Sequence, residues 1–224
     1  MATMPSRSRS GQAAPKVSQS QAWFATGSGR AVLDSEKGSI QAAIDRRPGQ
    51  SWLWLSPAGQ PMEPRGRGLA LQQSIEGWQG PIRCAMPFPL ASESVATVIV
   101  QHGVRPGGRA AELFEECARV LVPGGHLWLY ALNPISPYRW RWAGRGLAAK
   151  EPFTWRRQLR QAGLQPLGVS EGLGPRWEVE PAPRLQRGPG LRASYLLRAE
   201  KRTIPLTPLR NRVPIRLGEG VPVA

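Results

Sequence analysis

Only two side chains in the sequence have an ordinary pKa near neutrality, His102 and His126. His102 follows the apolar run Val95 to Val100 and Gln101, and His126 opens the run His126 to Leu132. An imidazole where a strand ends is a candidate proton acceptor, and equally a hydrogen-bonded group without chemistry. Neither histidine has metal-ligand companions at short spacing, so no metal site is expected. Cys84 and Cys117 stand in apolar or helical contexts and read as core fillers rather than disulfide or zinc ligands. Glu112, Glu115 and Glu116 read as a solvated helix face rather than paired catalytic acids. Gly27-Ser28-Gly29 has no strand before it and no lysine at phosphate-loop spacing, and no serine-centred hydrolase elbow is present.

Charge is the second chemical signal. The 224 residues hold 30 basic and 15 acidic side chains, a formal net charge of +15. Residues 22–137 are almost neutral at +1, whereas residues 138–160 carry +6 and the segments 1–21 and 202–224 carry +3 each. In the basic stretch arginines alternate with aromatics: Tyr138, Arg139, Trp140, Arg141, Trp142. Arginines on phosphates and indoles under bases would suit a nucleic acid, which is the less favoured partner. The same pattern suits an anionic substrate, or a covering loop in which Trp140 and Trp142 pack inward while Arg139, Arg141 and Arg145 are solvated.

The elements that must position these groups follow from periodicity. Residues 1–21 cannot bury enough apolar surface to offset the entropy of ordering and are expected to be a disordered tail. Trp23, Phe24, Val32, Leu33, Ile40 and Ile44 are spaced like short amphipathic helices, with Ser39 as N-cap of the second. Ser51 to Leu55 and Gly68 to Gln72 read as strands, and Val95 to Val100 as a strand covered on both faces. Ala110, Leu113, Phe114, Cys117 and Leu121 follow helical spacing, and Pro123-Gly124-Gly125 is expected to end that helix before the strand from His126. A strand, a helix and a strand make a parallel unit with a right-handed crossover. Thr154 to Ala162 reads as a helix, Leu164 to Val169 and Arg192 to Lys201 as strands, and 172–190 as a loop. The expected organisation is one domain over 22–202 and an extended or disordered tail over 203–224. No run of eighteen apolar residues exists and no secretory-type stretch opens the chain, so a soluble, cytoplasmic protein is expected.

Met86-Pro87-Phe88-Pro89 before the strand at Val95, and Ala118-Arg119-Val120-Leu121-Val122-Pro123-Gly124-Gly125 before the next, occur in telling order. This pair resembles the second half of class I S-adenosylmethionine-dependent methyltransferases of the type 11 kind. Asn133-Pro134 followed by arginines and tryptophans, and the ending Tyr195 to Arg202 with Pro205 to Pro208, are similar to a small bacterial branch of them. The resemblance spans residues 22–210, with its weight on 86–140. It implies an α/β fold: a doubly wound, mostly parallel, seven-stranded Rossmann-like sheet with helices on both faces and an antiparallel last strand. It further implies S-adenosylmethionine as cofactor and methyl transfer to an unidentified acceptor.

Residue by residue, the resemblance places the cofactor's glycine-rich turn at Ser56-Pro57-Ala58-Gly59, where only Gly59 keeps the residue type and Pro57 lacks a backbone donor. The ribose carboxylate position falls on Gln72 or Gln73, neutral amides that accept hydrogen bonds less strongly. The adenine-side acid is replaced at Arg83-Cys84-Ala85, leaving Ala85 as the contact. Gln101 and His102 occupy the cofactor rim. Asn133, Tyr138, Arg139, Trp140, Arg141 and Trp142 become the substrate or partner side, at the carboxyl edge of the sheet. Two readings stay open: an active methyltransferase, and a non-catalytic descendant that binds or regulates a partner through its Arg/Trp segment.

Overall fold

The computed structural model describes residues 19–57, 66–104 and 110–202. Both tails expected to lack structure fall largely outside these residues, but the helix α1 (Gln19–Phe24) already begins inside the first of them. One mixed sheet organises the described chain, in the order β4-β3-β2-β1-β5-β6-β9-β7-β8. The strands are β1 (Trp52–Ser56), β2 (Gly68–Ser74), β3 (Gly77–Gln79), β4 (Arg83–Cys84), β5 (Val95–Gln101), β6 (Leu121–Leu132), β7 (Leu164–Leu173), β8 (Gln186–Arg187) and β9 (Ser194–Lys201). Among the described residues nine strands replace the expected seven: six longer strands, with the short β3 and β4 at one edge and β8 at the other. The strands β2, β1, β5 and β6 are parallel, and β9 runs antiparallel between β6 and β7.

Alternation along the strands divides the core. Leu53, Leu55, Val98, Val100, Leu127 and Leu129 meet α3 (Ala110–Val120) and α4 (Pro152–Gln161), with Phe114 and Trp155 edge to face at 5.9 Å. Trp52, Trp54, Ile99, Trp128 and Tyr130 face the other way, onto Ile40, Ala43 and Ile44 of α2 (Gly27–Asp45).

Three local expectations change. The short helices expected from Trp23 to Ile44 are α1, which contains Trp23, and one 19-residue helix, α2, capped by the Thr26 hydroxyl, which accepts from the Gly29 amide at 3.3 Å. Ser39 therefore caps nothing; it lies mid-helix with its Oγ 2.8 Å from the Tyr130 hydroxyl. Gly29 permits the tight α1–α2 corner, since a Cβ there would meet the Trp23 carbonyl oxygen at 2.3 Å. Next, α3 ends at Val120 and runs straight into β6, so Pro123-Gly124-Gly125 sits within the strand's span. The glycine pair builds a bulge: pairing passes from Leu121 opposite Val95 to His126 opposite Thr97, with Gly124 at a φ of +72°. Similarly, β7 extends to Leu173 and β8 lies inside the span expected to be loop.

The acidic face of α3 also divides. Glu112 and Glu115 are exposed, but Glu116 is buried and accepts from the Phe88 amide at 2.6 Å and from Arg119 Nε and Nη2 at 2.8 and 2.7 Å. Arg119 donates onward to the Phe88 and Leu90 carbonyls at 3.1 and 2.9 Å and to Ser92 Oγ at 3.1 Å. The two motifs quoted for the family resemblance are thus one clamp, in which α3 holds the loop after β4. Hydrogen bonding from Arg119 holds the Glu116 carboxyl below its ordinary range.

Candidate functional site

The carboxyl ends of β1, β2 and β5 meet at one edge of the sheet. Strand order reverses between β1 and β5, the place where open α/β sheets form a ligand crevice. Ser56 ends β1 and is buried, its Oγ 3.4 Å from the Leu71 carbonyl, and Pro57 after it is buried too. Ala58 and Gly59 lie outside the described residues.

Of the two glutamines, Gln73 points to the crevice. Its Nε2 donates to the Gly103 carbonyl at 3.1 Å, tying the end of β2 to the end of β5 across β1. A pocket of about 250 Å³ opens beside it, lined by Gln73, Trp78, Ala85, Met86, Gly103 and Leu113, with Glu112 at its rim. Trp78 and Leu113 give it apolar walls, and Gly103 lets the backbone form part of its floor. A Cβ at Gly103 would meet the Trp78 ring at 3.0 Å and Val100 at 3.3 Å. A pocket with apolar walls and the Gln73 amide suits a heterocycle, so the residues present fit the adenosine end of the implied cofactor. Gln72 pairs with Ser56 and Gln79 in the sheet and does not line this pocket.

Beyond Gln101 the chain turns at His102, whose φ of +48° is uncommon for a residue with a side chain. Several contacts over-determine that turn. The His102 amide donates to the Tyr130 carbonyl at 3.0 Å, and Nε2 lies 3.0 and 3.1 Å from the two Glu36 carboxyl oxygens. Phe24 stacks on the imidazole at 4.9 Å. With its side chain 3% exposed, His102 is a packed group, and its Nδ1 has no hydrogen-bond partner among the described residues.

Glu36 was not anticipated. It is 0% exposed, a position that a carboxylate tolerates only with its oxygens hydrogen-bonded. Gln101 Nε2 donates to it at 2.8 Å and Ser194 Oγ at 2.6 Å, alongside His102. One side chain of α2 thereby joins β5 to β9. A trace existed in the sequence: Glu36 falls between Val32 and Ile40 at four-residue spacing, an acid on the apolar face of its helix.

The Arg/Trp stretch splits by its own spacing. Residues 137–141 form a 3-10 turn in which Tyr138, with Trp142 four residues on, is buried, whereas Arg139, Trp140 and Arg141 face solvent. Trp140 is 82% exposed. Trp142 packs edge-on to Trp23 of α1 at 5.7 Å, and Trp23 Nε1 donates to the Arg141 carbonyl at 2.8 Å. The Tyr138 hydroxyl donates to the Ser28 carbonyl at 3.1 Å. Asn133 is buried and holds the 190–192 backbone, its Nδ2 donating to the Gly190 and Arg192 carbonyls at 2.8 and 2.9 Å. Through α1, the stretch reaches the crevice: Gln21 Nε2 donates to the Gln73 carbonyl.

Solved structures resolve what this sheet is. No model of a protein family matches the chain, and no curated protein sequence matches it. Among solved structures, a chain of the Haloferax volcanii complex between the Trm112 methyltransferase activator and a methyltransferase superposes with a TM-score of 0.54 at 18% identity. That match covers 82% of this chain and 97% of the other. An S-adenosylmethionine-dependent methyltransferase of Thermotoga maritima gives a TM-score of 0.53 at 15% identity, covering 81% and 94%. The chain has a class I methyltransferase fold. A third structure with this fold, the Burkholderia thailandensis 1,6-didemethyltoxoflavin-N1-methyltransferase with S-adenosylhomocysteine bound, matches at a TM-score of 0.50 and 12% identity over 88% of this chain and 94% of its own. Among the described residues, no helix is long and apolar enough to cross a membrane.

Proposed function

We propose that the chain is a cytoplasmic methyltransferase that uses S-adenosylmethionine, with the adenosine end in the pocket between Trp78 and Gly103. The observation that carries this reading is the pocket's place, at the carboxyl ends of β2 and β5 beside the reversal of strand order. When bound, the cofactor supplies an electrophilic methyl group on sulfur. The chain's share is orientation and exclusion of water. Trp78, Met86 and Leu113 wall the slot, and the Gln73 amide and the backbone at Gly103 and Ala85 offer its polar contacts. Gln101 and His102, fixed by Glu36, hold the rim in position. In this proposal Ser56, at the buried end of β1, stands on the side of the methionine end. An acceptor, with an anionic group to meet Arg139 and Arg141, comes from the side of the exposed Trp140.

One observation favours a second reading, a cofactor-free binding module. Helix α1 lies over the crevice, with Phe24 on the His102 ring and Gln21 on the Gln73 carbonyl. Calorimetric titration with S-adenosylmethionine and S-adenosylhomocysteine separates the two. Micromolar binding, about −8 kcal/mol, is expected, and Ala85→Trp, which fills the slot from an exposed position, is expected to weaken it at least about tenfold with an unchanged melting temperature. No heat at millimolar cofactor overturns the first reading in favour of the second.

A further inference from the structure

The sheet face that carries α2 holds a second hollow, of about 490 Å³, past the end of that helix. Five elements or their ends build it. Arg46 follows α2, His126 and Trp128 come from β6, Glu171 from β7, Arg187 from β8 and Arg198 from β9. The register sets Trp128 beside Arg198 and His126 beside Glu200. The Arg46 and Arg198 guanidiniums lie 5.6 and 5.1 Å from the centroid of the Trp128 ring, within cation–π reach, which orders both side chains before any ligand arrives. Across from them β7 bulges: three residues, 168–170, stand between partners that on β9 enclose only Leu197. Bulges of this kind re-aim side chains, and here Leu167, Gly168 and Val169 turn into the wall of the hollow.

The charges do not cancel. Arg198 pairs with Glu171, whereas Arg46 and Arg187 have no carboxylate partner among the described residues. Behind them, Arg47 donates to the Gly124 carbonyl at 2.6 Å. Burial, with Arg47, Arg46 and Arg198 nearby, holds the His126 imidazole below its ordinary pKa despite Glu200. Two unpaired guanidiniums in a concavity match a dianion, and their planar forks fit phosphate oxygens bidentately. The volume exceeds what a bare phosphate needs, and the exposed Leu185 and Val169, 50% and 55% accessible, offer apolar contact to an organic body.

We propose that this hollow binds a phosphate-bearing ligand, its phosphate group held by Arg46 and Arg187 and its organic part against Leu185 and Val169. The site lies apart from the cofactor pocket, on other residues, and stands whether or not S-adenosylmethionine binds.

Titration of the full chain with inorganic pyrophosphate at low salt, and co-sedimentation with phosphatidylcholine vesicles with and without phosphatidic acid, test it. The two arms separate a free phosphorylated ligand from a lipid headgroup. The variant Arg46→Gln/Arg187→Gln, at two exposed positions, is expected to lower affinity at least about tenfold with an unchanged melting temperature. The variant Arg157→Gln/Arg160→Gln removes the same charge from the exposed face of α4 and is expected to change it less than about twofold. Equal losses in both variants would reduce the effect to the chain's net charge and overturn the site. So would an absence of both pyrophosphate heat and phosphatidic-acid-dependent sedimentation in the wild type.

Discussion

The sheet has two unlike halves. The strands β5, β6 and β9, with α3 and α4 over them, are largely buried: all seven residues of β5 are buried, and the crossover to β6 carries a full helix. On the other side, the parallel step from β1 to β2 spans only residues 57–67, near the lower limit for such a connection. There β2 is half exposed and β3 and β4 have three and two residues. The thick half is scaffold. The pocket proposed for the cofactor lies where the thin half meets it, on the side with least packing to spare.

Core truncation should expose the difference most strongly. Phe114→Ala, in the thick half, is expected to cost about 3–5 kcal/mol, read by urea unfolding, whereas Leu69→Ala on the half-buried β2 should cost below about 1.5 kcal/mol. Equal costs would break the comparison. Glu36→Ala, within the thick half, removes the carboxylate that Gln101 Nε2 and His102 Nε2 meet and leaves Ser194 Oγ only the Leu173 carbonyl at 3.5 Å, and is expected to cost about 3 kcal/mol. A near-neutral effect there would mean that the network adds nothing to the stability of that half.

The smallest effect sharpens the seam. Glu116 ties α3 to the loop at Phe88, and its carboxyl is held low by Arg119. The unfolded chain therefore binds a proton more readily, so this contribution is full above the ordinary carboxylate range and is lost as pH falls through the lowered folded value. Glu116→Gln should be less stable at neutral pH and show a flatter decline towards acid, measured by urea unfolding across that range. An acid decline identical to wild type would remove Glu116 from the seam.

What the sequence made legible follows the same division. Unbroken apolar runs and a 3.6-residue pattern located β5, α3 and β6, because a strand covered on both faces has no other composition to choose from. The resemblance carried by residues 86–140 led to the right fold. Other features depend on register and assembly rather than on local pattern. Which of Gln72 and Gln73 faces the crevice is a matter of strand parity, decided by where β2 pairs with β1. Trp140 was grouped with Trp142, but a tight turn separates neighbours two apart and unites Tyr138 with Trp142. The basic hollow gathers Arg46 and His126 from residues 22–137, which carry only +1, and Arg187 and Arg198 from residues 161–201, which carry only +2, so neither stretch stands out by its charge.

Because β9 lies between β6 and β7, the strand latest in sequence among those described is an interior one. During synthesis, β7 has nothing to pair with on that side until residues 194–201 have left the ribosome, and Glu36, made 158 residues before Ser194, waits for its third donor until then. Completion of the sheet consequently waits for the last of the described strands, which acts as its keystone.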